Sequence, residues 1–185
     1  MSAVQTISPT LARRLFISKQ KLAGPRPKAD PEGMLDVIRD LGCLQLDPTN
    51  AVARTHLLVL WSRLGTYDTA HLDKLLWQDR SLFEYWAHAA SIVLTEDYPI
   101  HRMMMRAYSE SNSAWRQWVR DWMKENQELH DYILNELRER GPLLSKDFED
   151  KAARPWASSG LTGGRNVGRM LDFLWAGGKI LVAGR

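Results

Sequence analysis

The sequence predicts a mainly α-helical fold with small antiparallel β-sheets, an α+β class arranged as tandem winged-helix units. Apolar residues recur at helical spacing along most of the chain. Residues 82–94 are rich in aromatic and small apolar side chains, and they are predicted to form one or two strands. Three helices followed by a strand segment are predicted twice, which is the order of elements in a winged helix.

The predicted elements divide the chain into three parts. Residues 1–95 form a first winged-helix-like unit, 96–125 a helical connector, and 126–185 a second winged-helix unit. A strand predicted over 179–182 has no partner strand after it, and a domain seldom ends on an unpaired strand. We therefore expect the wing of the second unit to be truncated and the chain to be part of a longer protein.

Local capping signals place the first two helices. Ser8 is followed by Pro9, a favoured N-cap and first helical residue. Asp30 and Pro31 repeat the pattern, and Gly42 is placed to end the second helix. An apolar stripe runs along the first helix through Leu11, Leu15 and Leu22.

Residues 44–50 form the segment around which the predicted site is built. Proline disfavours the α region for the residue before it, so Asp47, which precedes Pro48, is expected to be extended. Side chains alternate along an extended segment, so Gln45 and Asp47 point to one side and the neighbouring leucines to the other. The sequence thus predicts a short strand with an amide and a carboxylate on its polar face.

The same residues also fit a purely structural interpretation. Asp-Pro-Thr-Asn over 47–50 is typical of a β-turn, with Asp first and Pro second. Asn50 is a favourable N-cap for a third helix predicted over 51–64. Arg54 falls near the first turns of that helix, where its guanidinium either pairs with Asp47 or reaches a phosphate. Spacing alone leaves the catalytic and structural interpretations open.

Tryptophans and capping signals organise the rest of the chain. Trp115, Trp118 and Trp122 lie on one face of a predicted helix. Such a face either packs in a seam between helices or offers rings for stacking on bases, and the spacing favours the seam. Ser145 opens a further predicted helix with a capping-box pattern. A last helix is predicted over 165–176, with an N-terminal Arg and Asn placed as in a DNA-recognition helix.

The charged residues are unevenly distributed, although the net charge is only +3. Residues 1–29 carry six basic and no acidic side chains, residues 151–185 six basic and one acidic, and residues 30–150 carry 13 basic and 21 acidic. Basic ends around an acidic middle suggest contact with a polyanion, for which nucleic acid is the usual candidate, or simply a solvated surface, and charge alone does not decide between the two. The residues predicted to contact DNA are Arg13, Arg14, Lys19, Arg165, Asn166, Arg169 and Lys179.

Several classes of protein are not expected from this sequence. The single cysteine, Cys43, offers no internal disulfide and no metal cluster, so we expect no metal and no cofactor. No apolar run is long enough to span a membrane. Residues 1–7 lack the basic start and apolar core of a signal peptide. We expect a monomer located in the cytoplasm.

One ordered set of residues extends over essentially the whole chain. It begins with Gln45-Leu46-Asp47, continues through Asn50, Arg54 and His56, and reaches Ser62-Arg63-Leu64-Gly65 and Tyr67. Residues 84–91 and 178–185 belong to it as well. The tripeptide alone occurs by chance in many proteins. The ordered set resembles the AlkZ/YcaQ-type winged-helix DNA glycosylases.

This resemblance implies a function. Members of the family are bacterial DNA-repair enzymes, and the resemblance implies metal-independent hydrolysis of the N-glycosidic bond of alkylated or crosslinked purines. The family's catalytic motif is Gln, an apolar residue, then Asp or Gln, which implies catalytic roles for Gln45 and Asp47. The residues implied to line the site are Asn50, Arg54, His56 and His88.

The chemistry of these side chains suits that reaction. Cleavage of an N-glycosidic bond develops positive charge on the sugar, so the Asp47 carboxylate is able to stabilise it or to take a proton from the attacking water. Gln45 has an acceptor and two donors with which to orient the water or hold Asp47. The alternative is a non-enzymatic winged-helix DNA-binding module, such as a regulator, in which the motif is only a turn.

Overall fold

The structure is a computed structural model that describes residues 6–156 and 166–185. These residues are mostly helical and contain one three-stranded antiparallel sheet, which confirms the predicted α+β class. By its internal contacts the chain divides into a first unit up to Asp97 and a second unit from Tyr98 onwards. Two helices occupy most of the predicted connector 96–125, and the three-part division itself stays a prediction.

The described part of the first unit consists of helices and three short strands. Its elements are α1 (Pro9–Lys19), α2 (Pro31–Leu41), β1 (Leu44–Gln45), α3 (Thr55–Leu64), α4 (Ala70–Asp73), a π-helical turn (Lys74–Gln78), β2 (Leu82–Trp86) and β3 (Ala90–Leu94). Ser8 Oγ accepts the Leu11 N–H at 3.2 Å and caps α1. Asp30 Oδ1 accepts the Gly33 N–H at 2.8 Å and caps α2, which ends at Gly42. Both predicted helix starts are confirmed.

Helix α1 has no buried residue, although it carries the predicted apolar stripe. Leu11, Leu15 and Leu22 are each about half exposed. The helix is attached at its C-terminal end, where Arg63 Nε donates to the Gln20 carbonyl at 3.0 Å. The stripe therefore takes no part in the core of the first unit.

Helix α3 begins one turn later than residue 51, so the prediction of Asn50 as its N-cap is wrong. Arg54 occupies the N-cap position with an extended backbone, at φ −64° and ψ 142°. The Thr49 N–H is bonded to Asp47 Oδ1 at 2.7 Å. This turn fixes the backbone directly before Asn50, so the helix does not start at that residue.

The three strands form an antiparallel sheet in the order β1-β3-β2. Leu44 lies opposite Ile92, and Leu82 lies opposite Leu94. All four are buried and belong to one core with residues of α2 and α3. The segment predicted as one or two strands forms two, joined by a turn at 87–89. This sheet sets the position of the candidate site.

The second unit packs around tryptophans. Its helices are α5 (Tyr98–Glu110), α6 (Ala114–Glu125), α7 (Gln127–Arg140) and α8 (Asn166–Ala176). Trp122 is fully buried, and Trp118 packs on Trp156 with ring centres 4.4 Å apart, whereas Trp115 remains exposed. The predicted packing role is thus confirmed for Trp118 and Trp122.

Two elements predicted for the second unit do not form among its described residues. A single 3-10 turn, Ser145–Asp147, stands where a helix was expected. The strand predicted over 179–182 is wrong as well, because the Lys179 N–H bonds to the Leu174 carbonyl at 2.8 Å in the turn that ends α8. A strand needs a neighbour for its backbone groups, and none lies there in the described residues. A second winged helix stays a prediction.

Candidate active site

Strand β1 directs Gln45 away from the core of the first unit. Leu44 is buried and Leu46 packs partly buried against the same core, whereas Gln45 between them is exposed. The Leu46 N–H bonds to the Ala90 carbonyl at 2.8 Å, so the pairing with β3 continues one residue past the strand. The predicted alternation of apolar and polar side chains is therefore confirmed over 44–46.

His88 meets Gln45 from the neighbouring turn. Its Nε2 lies 3.1 Å from Gln45 Oε1. Its other nitrogen, Nδ1, lies 3.9 Å from Cys43 Sγ. The structure thus brings together two predicted site residues that are 43 positions apart in sequence.

Asp47 lies two residues beyond Gln45 and forms the turn that its sequence predicts. Its Oδ1 accepts the Thr49 N–H at 2.7 Å, the hydrogen bond of an Asx-turn. The Thr49 side chain and, after it, the Thr49 backbone hold the pKa of Asp47 below its ordinary value, because both donate to the charged carboxylate. Asp47 is therefore an anion at neutral pH, and its catalytic role stays a prediction.

The other predicted lining residues take different positions. Asn50 and Arg54 are exposed on the segment that leads from Asp47 to α3. Arg54 forms no ion pair with Asp47, and both residues lie in the described part of the chain. His56 is 8% exposed within α3. The contact of His88 with Gln45 thus joins two members of the predicted set, and the roles of all of them stay predictions.

The basic residues predicted to contact DNA from the first unit lie on α1. Arg13, Arg14 and Lys19 are all exposed. Within the described residues they form no ion pair. Their positive charges are therefore available to a phosphate backbone.

The corresponding residues of the second unit differ in their accessibility. Arg165 lies outside the described residues. Asn166 is buried, and both ends of its amide are bonded within the second unit. Its Oδ1 accepts the Trp156 N–H at 2.7 Å, and its Nδ2 donates to Asp150 Oδ2 at 2.8 Å. Arg169 and Lys179 are accessible, although Arg169 also lies 3.5 Å from Asp172. The position of Asn166 favours a structural role over contact with DNA.

The second half of the signature stretch, 62–67, stabilises the fold. Arg63 is buried and donates to the Gln20 carbonyl at 3.0 Å and to Ser62 Oγ at 2.7 Å. Tyr67 donates its hydroxyl hydrogen to the Leu57 carbonyl at 3.0 Å. Arg63 thus joins α3 to the C-terminal end of α1, and Tyr67 joins α3 to the loop that follows it. The signature therefore combines exposed polar groups at 45–50 with a buried structural part.

Two residues near the site received no role from the sequence. Cys43 was considered only for disulfides and metal clusters, yet it contacts His88. Ser91 lies opposite Gln45 in the sheet and donates its hydroxyl hydrogen to the Ala89 carbonyl at 3.0 Å. The Cys43–His88 contact and the position of Ser91 opposite Gln45 both depend on the strand register, so only a prediction of β1–β3 pairing would have revealed them.

An apolar groove of about 800 Å³ lies in the second unit. Its lining includes Leu137, Leu143, Leu171, Trp175 and Ile180. None of the predicted site residues lines it. In the described residues no group of three or more His, Cys, Asp or Glu is arranged to hold a metal, and no described helix has the length and apolar character to cross a membrane.

The chain matches a known protein family. The model of the family described as "DNA glycosylase AlkZ-like" matches residues 38–185. The chain belongs to this family. No solved structure matches it significantly.

Membership in the AlkZ-like family gives the chain a DNA-repair context. The matched residues start within α2 and include Gln45, Asp47 and His88. Helix α1, with its exposed basic side chains, precedes the match. DNA glycosylases act on DNA, so the family supports DNA as the partner.

Proposed function

We propose that this protein hydrolyses the N-glycosidic bond of alkylated or crosslinked purines in double-stranded DNA, without a metal ion, at the polar face formed by Gln45 and Asp47. The observation that carries the proposal is an exposed amide held by His88, two residues before a carboxylate that accepts the Thr49 N–H. This combination lies within the segment that matches the AlkZ-like family.

Asp47 is assigned the role of electrostatic stabiliser. The bond to the leaving base breaks with positive charge developing on the sugar, and a fixed carboxylate beside that charge lowers the barrier. A lowered pKa makes Asp47 a weak base but a dependable anion. Its electrostatic role is therefore favoured over proton abstraction from the attacking water.

Gln45 is assigned to the attacking water. It is exposed and anchored on a paired strand, so its amide is held at a defined position above the sheet. A neutral amide orients water without competing with Asp47 for charge. An N7-alkylated purine is itself positively charged, so it leaves without a strong acid, and the proposed site contains none.

DNA is proposed to contact the accessible basic residues. Helix α1 offers Arg13, Arg14 and Lys19, and the second unit offers Arg169 and Lys179. Contacts of this kind position a duplex and make its affinity depend on salt. We further propose that the protein acts as a monomer in the bacterial cytoplasm, where its DNA substrate lies.

The test is base release from a duplex that carries a single N7-methylguanine. Protein in excess over DNA gives single-turnover conditions, and we expect free N7-methylguanine with an abasic site, at a rate that EDTA leaves unchanged. Where the gene encodes further residues, the longer product is assayed beside the 185-residue chain.

Other outcomes would contradict the proposal. If neither protein released the base but both bound DNA with a salt-dependent, lesion-independent affinity, the protein would be a winged-helix binding module. Loss of release in EDTA, restored by a divalent metal, would remove the metal-independent mechanism.

A further inference from the structure

The turn between β2 and β3 places one histidine between an amide and a thiol. His88 Nε2 lies 3.1 Å from Gln45 Oε1, and His88 Nδ1 lies 3.9 Å from Cys43 Sγ. An amide oxygen only accepts hydrogen bonds, so this contact requires a hydrogen on Nε2. In a neutral imidazole the other nitrogen, Nδ1, is then an acceptor that faces the Cys43 thiol.

We propose that His88 is a positioning residue that fixes the orientation of the Gln45 amide, and that Cys43 selects the ring nitrogen of His88 that carries the hydrogen. The inference rests on the function proposed above. With Oε1 occupied by His88, the NH₂ group of Gln45 points to the open side of the strand. Gln45 then donates to the oxygen of the attacking water.

The surrounding backbone keeps His88 in place. The Ala89 carbonyl accepts both the Ala87 N–H at 3.0 Å and the Ser91 hydroxyl hydrogen at 3.0 Å, and Ser91 is fully buried. Ser91 is also the residue opposite Gln45 in the sheet. The strand register that pairs Ser91 with Gln45 thus fixes both the turn that carries His88 and the position of Gln45, which accepts the hydrogen bond from His88.

The opposite tautomer would reverse the polarity of the site. With its hydrogen on Nδ1, His88 would accept at Nε2, and the Gln45 amide would rotate to donate to it. Gln45 would then present its oxygen to the substrate. A thiol hydrogen is a weak donor, and at Nδ1 it favours the tautomer that leaves the Gln45 NH₂ group outward.

Two substitutions of His88 separate positioning from packing. The side-chain nitrogen of Gln reaches about as far as histidine Nε2, so His88→Gln retains a donor to Gln45. The side-chain nitrogen of Asn reaches only as far as Nδ1, so His88→Asn loses that donor. Both variants remove the ring, and a purely structural role predicts similar losses.

The first readout is single-turnover release of N7-methylguanine, with the DNA concentration for half-saturation measured in parallel. We expect His88→Asn to slow release about tenfold, the effect of one hydrogen bond of roughly 1.4 kcal/mol, with unchanged half-saturation. His88→Gln should stay within about threefold of the original rate. Equal rates for the two variants, or no loss in His88→Asn, would overturn the inference.

The second readout needs no activity. Long-range ¹H–¹⁵N NMR distinguishes protonated from unprotonated ring nitrogens, and the His88 signal is assigned among the five histidines by its absence in His88→Gln. We expect the hydrogen on Nε2 in the original protein and a mixture of tautomers in Cys43→Ala. A hydrogen on Nδ1 in the original protein would contradict the inference.

The two readouts separate the inference from the proposed function. Absence of base release by the original protein counts against the proposed function. Normal release that requires Asp47 but tolerates His88→Asn counts against the inference alone.

Discussion

Side-chain amides occupy two contrasting environments in this protein. In the first unit Gln45 is exposed, and its oxygen contacts His88 at 3.1 Å. In the second unit Asn126 is 1% exposed, and its oxygen accepts the Arg154 N–H at 3.0 Å. Its Nδ2 donates to the Trp122 and Arg154 carbonyls at 2.9 and 3.1 Å. Asn166 is likewise buried and bonded at both ends.

The difference shows how to separate a functional amide from a structural one. A buried amide with both ends bonded to the protein is out of reach of a ligand, and its loss leaves other buried groups unpaired. An exposed amide whose oxygen is bonded to the protein keeps the two hydrogens of its NH₂ group available in a defined direction. Sequence gives both kinds the same appearance, as the prediction of DNA contact for Asn166 illustrates.

The largest effect on stability is expected from Asn126→Ala. The substitution removes the partner of the Arg154 N–H, whereas the Arg154 carbonyl keeps its bond from Trp122 Nε1 at 3.0 Å, so we expect unfolding of the second unit to become easier by about 2 kcal/mol. Urea unfolding measures this change. Asn135→Ala, at an exposed position on α7, is the matched control, with an effect below about 0.5 kcal/mol. Equal losses of stability in the two variants would show that the buried amide contributes no more to folding than the exposed one.

Gln45→Ala should show the opposite profile. Its stability should change by less than about 0.5 kcal/mol, because the side chain is exposed. Its single-turnover rate of base release should fall by roughly 10- to 100-fold, since the water loses its orienting group. Gln127→Ala, at an exposed position on α7, should keep both quantities. A loss of stability in Gln45→Ala with a normal rate of base release would show that the Gln45 amide has a structural role.

Thr49→Val sharpens the assignment of Asp47. The variant removes the hydroxyl that is the main cause of the lowered pKa, and it keeps the backbone N–H. The pKa of Asp47 should therefore rise towards its ordinary value of about 3.9, as followed by ¹³C NMR of the carboxyl group.

The sign of the pH dependence follows from this shift. A lowered folded-state pKa means that the charged carboxylate, and the stability it contributes, is retained as the pH falls to the ordinary value and is lost only below it. Base release should be independent of the ionisation of Asp47 from about pH 8 to pH 5. An acid limb with a midpoint above pH 5 that disappears in Asp47→Asn would contradict the assignment.

The smallest effect is expected from single basic residues. Arg169→Ala should reduce the slope of log affinity against log salt by about 1, the loss of one phosphate contact. Arg138→Ala, on the acidic middle of the chain, should leave the slope unchanged. Fluorescence anisotropy with an unmodified duplex measures both variants. Identical slopes would remove Arg169 from the proposed DNA surface.

Local signals predicted the parts of the fold that local interactions determine. The Ser8 and Asp30 caps are examples, since the cap and the proline after it act within one turn. The start of α3 was misplaced because the Asp47–Thr49 turn competes with the cap signal at Asn50. The strand at 179–182 failed because it requires a partner that no local pattern supplies.

The candidate site was predictable only in part. Alternation correctly oriented Gln45, and the resemblance pointed to His88. The contact between them depends on the β1–β3 register, which pairs Gln45 with Ser91, and no periodicity encodes that register. The accessibility of Asn166 was also beyond the sequence, because it depends on Asp150 and Trp156.

The most direct test of the account is the effect of Asp47→Asn on the release of N7-methylguanine and on DNA affinity. An asparagine oxygen still accepts the Thr49 N–H, so the turn is retained and only the charge is removed. The account predicts that release slows by about 100-fold or more while the affinity for DNA stays within about twofold. An unchanged rate of release would show that the carboxylate of Asp47 takes no part in the reaction.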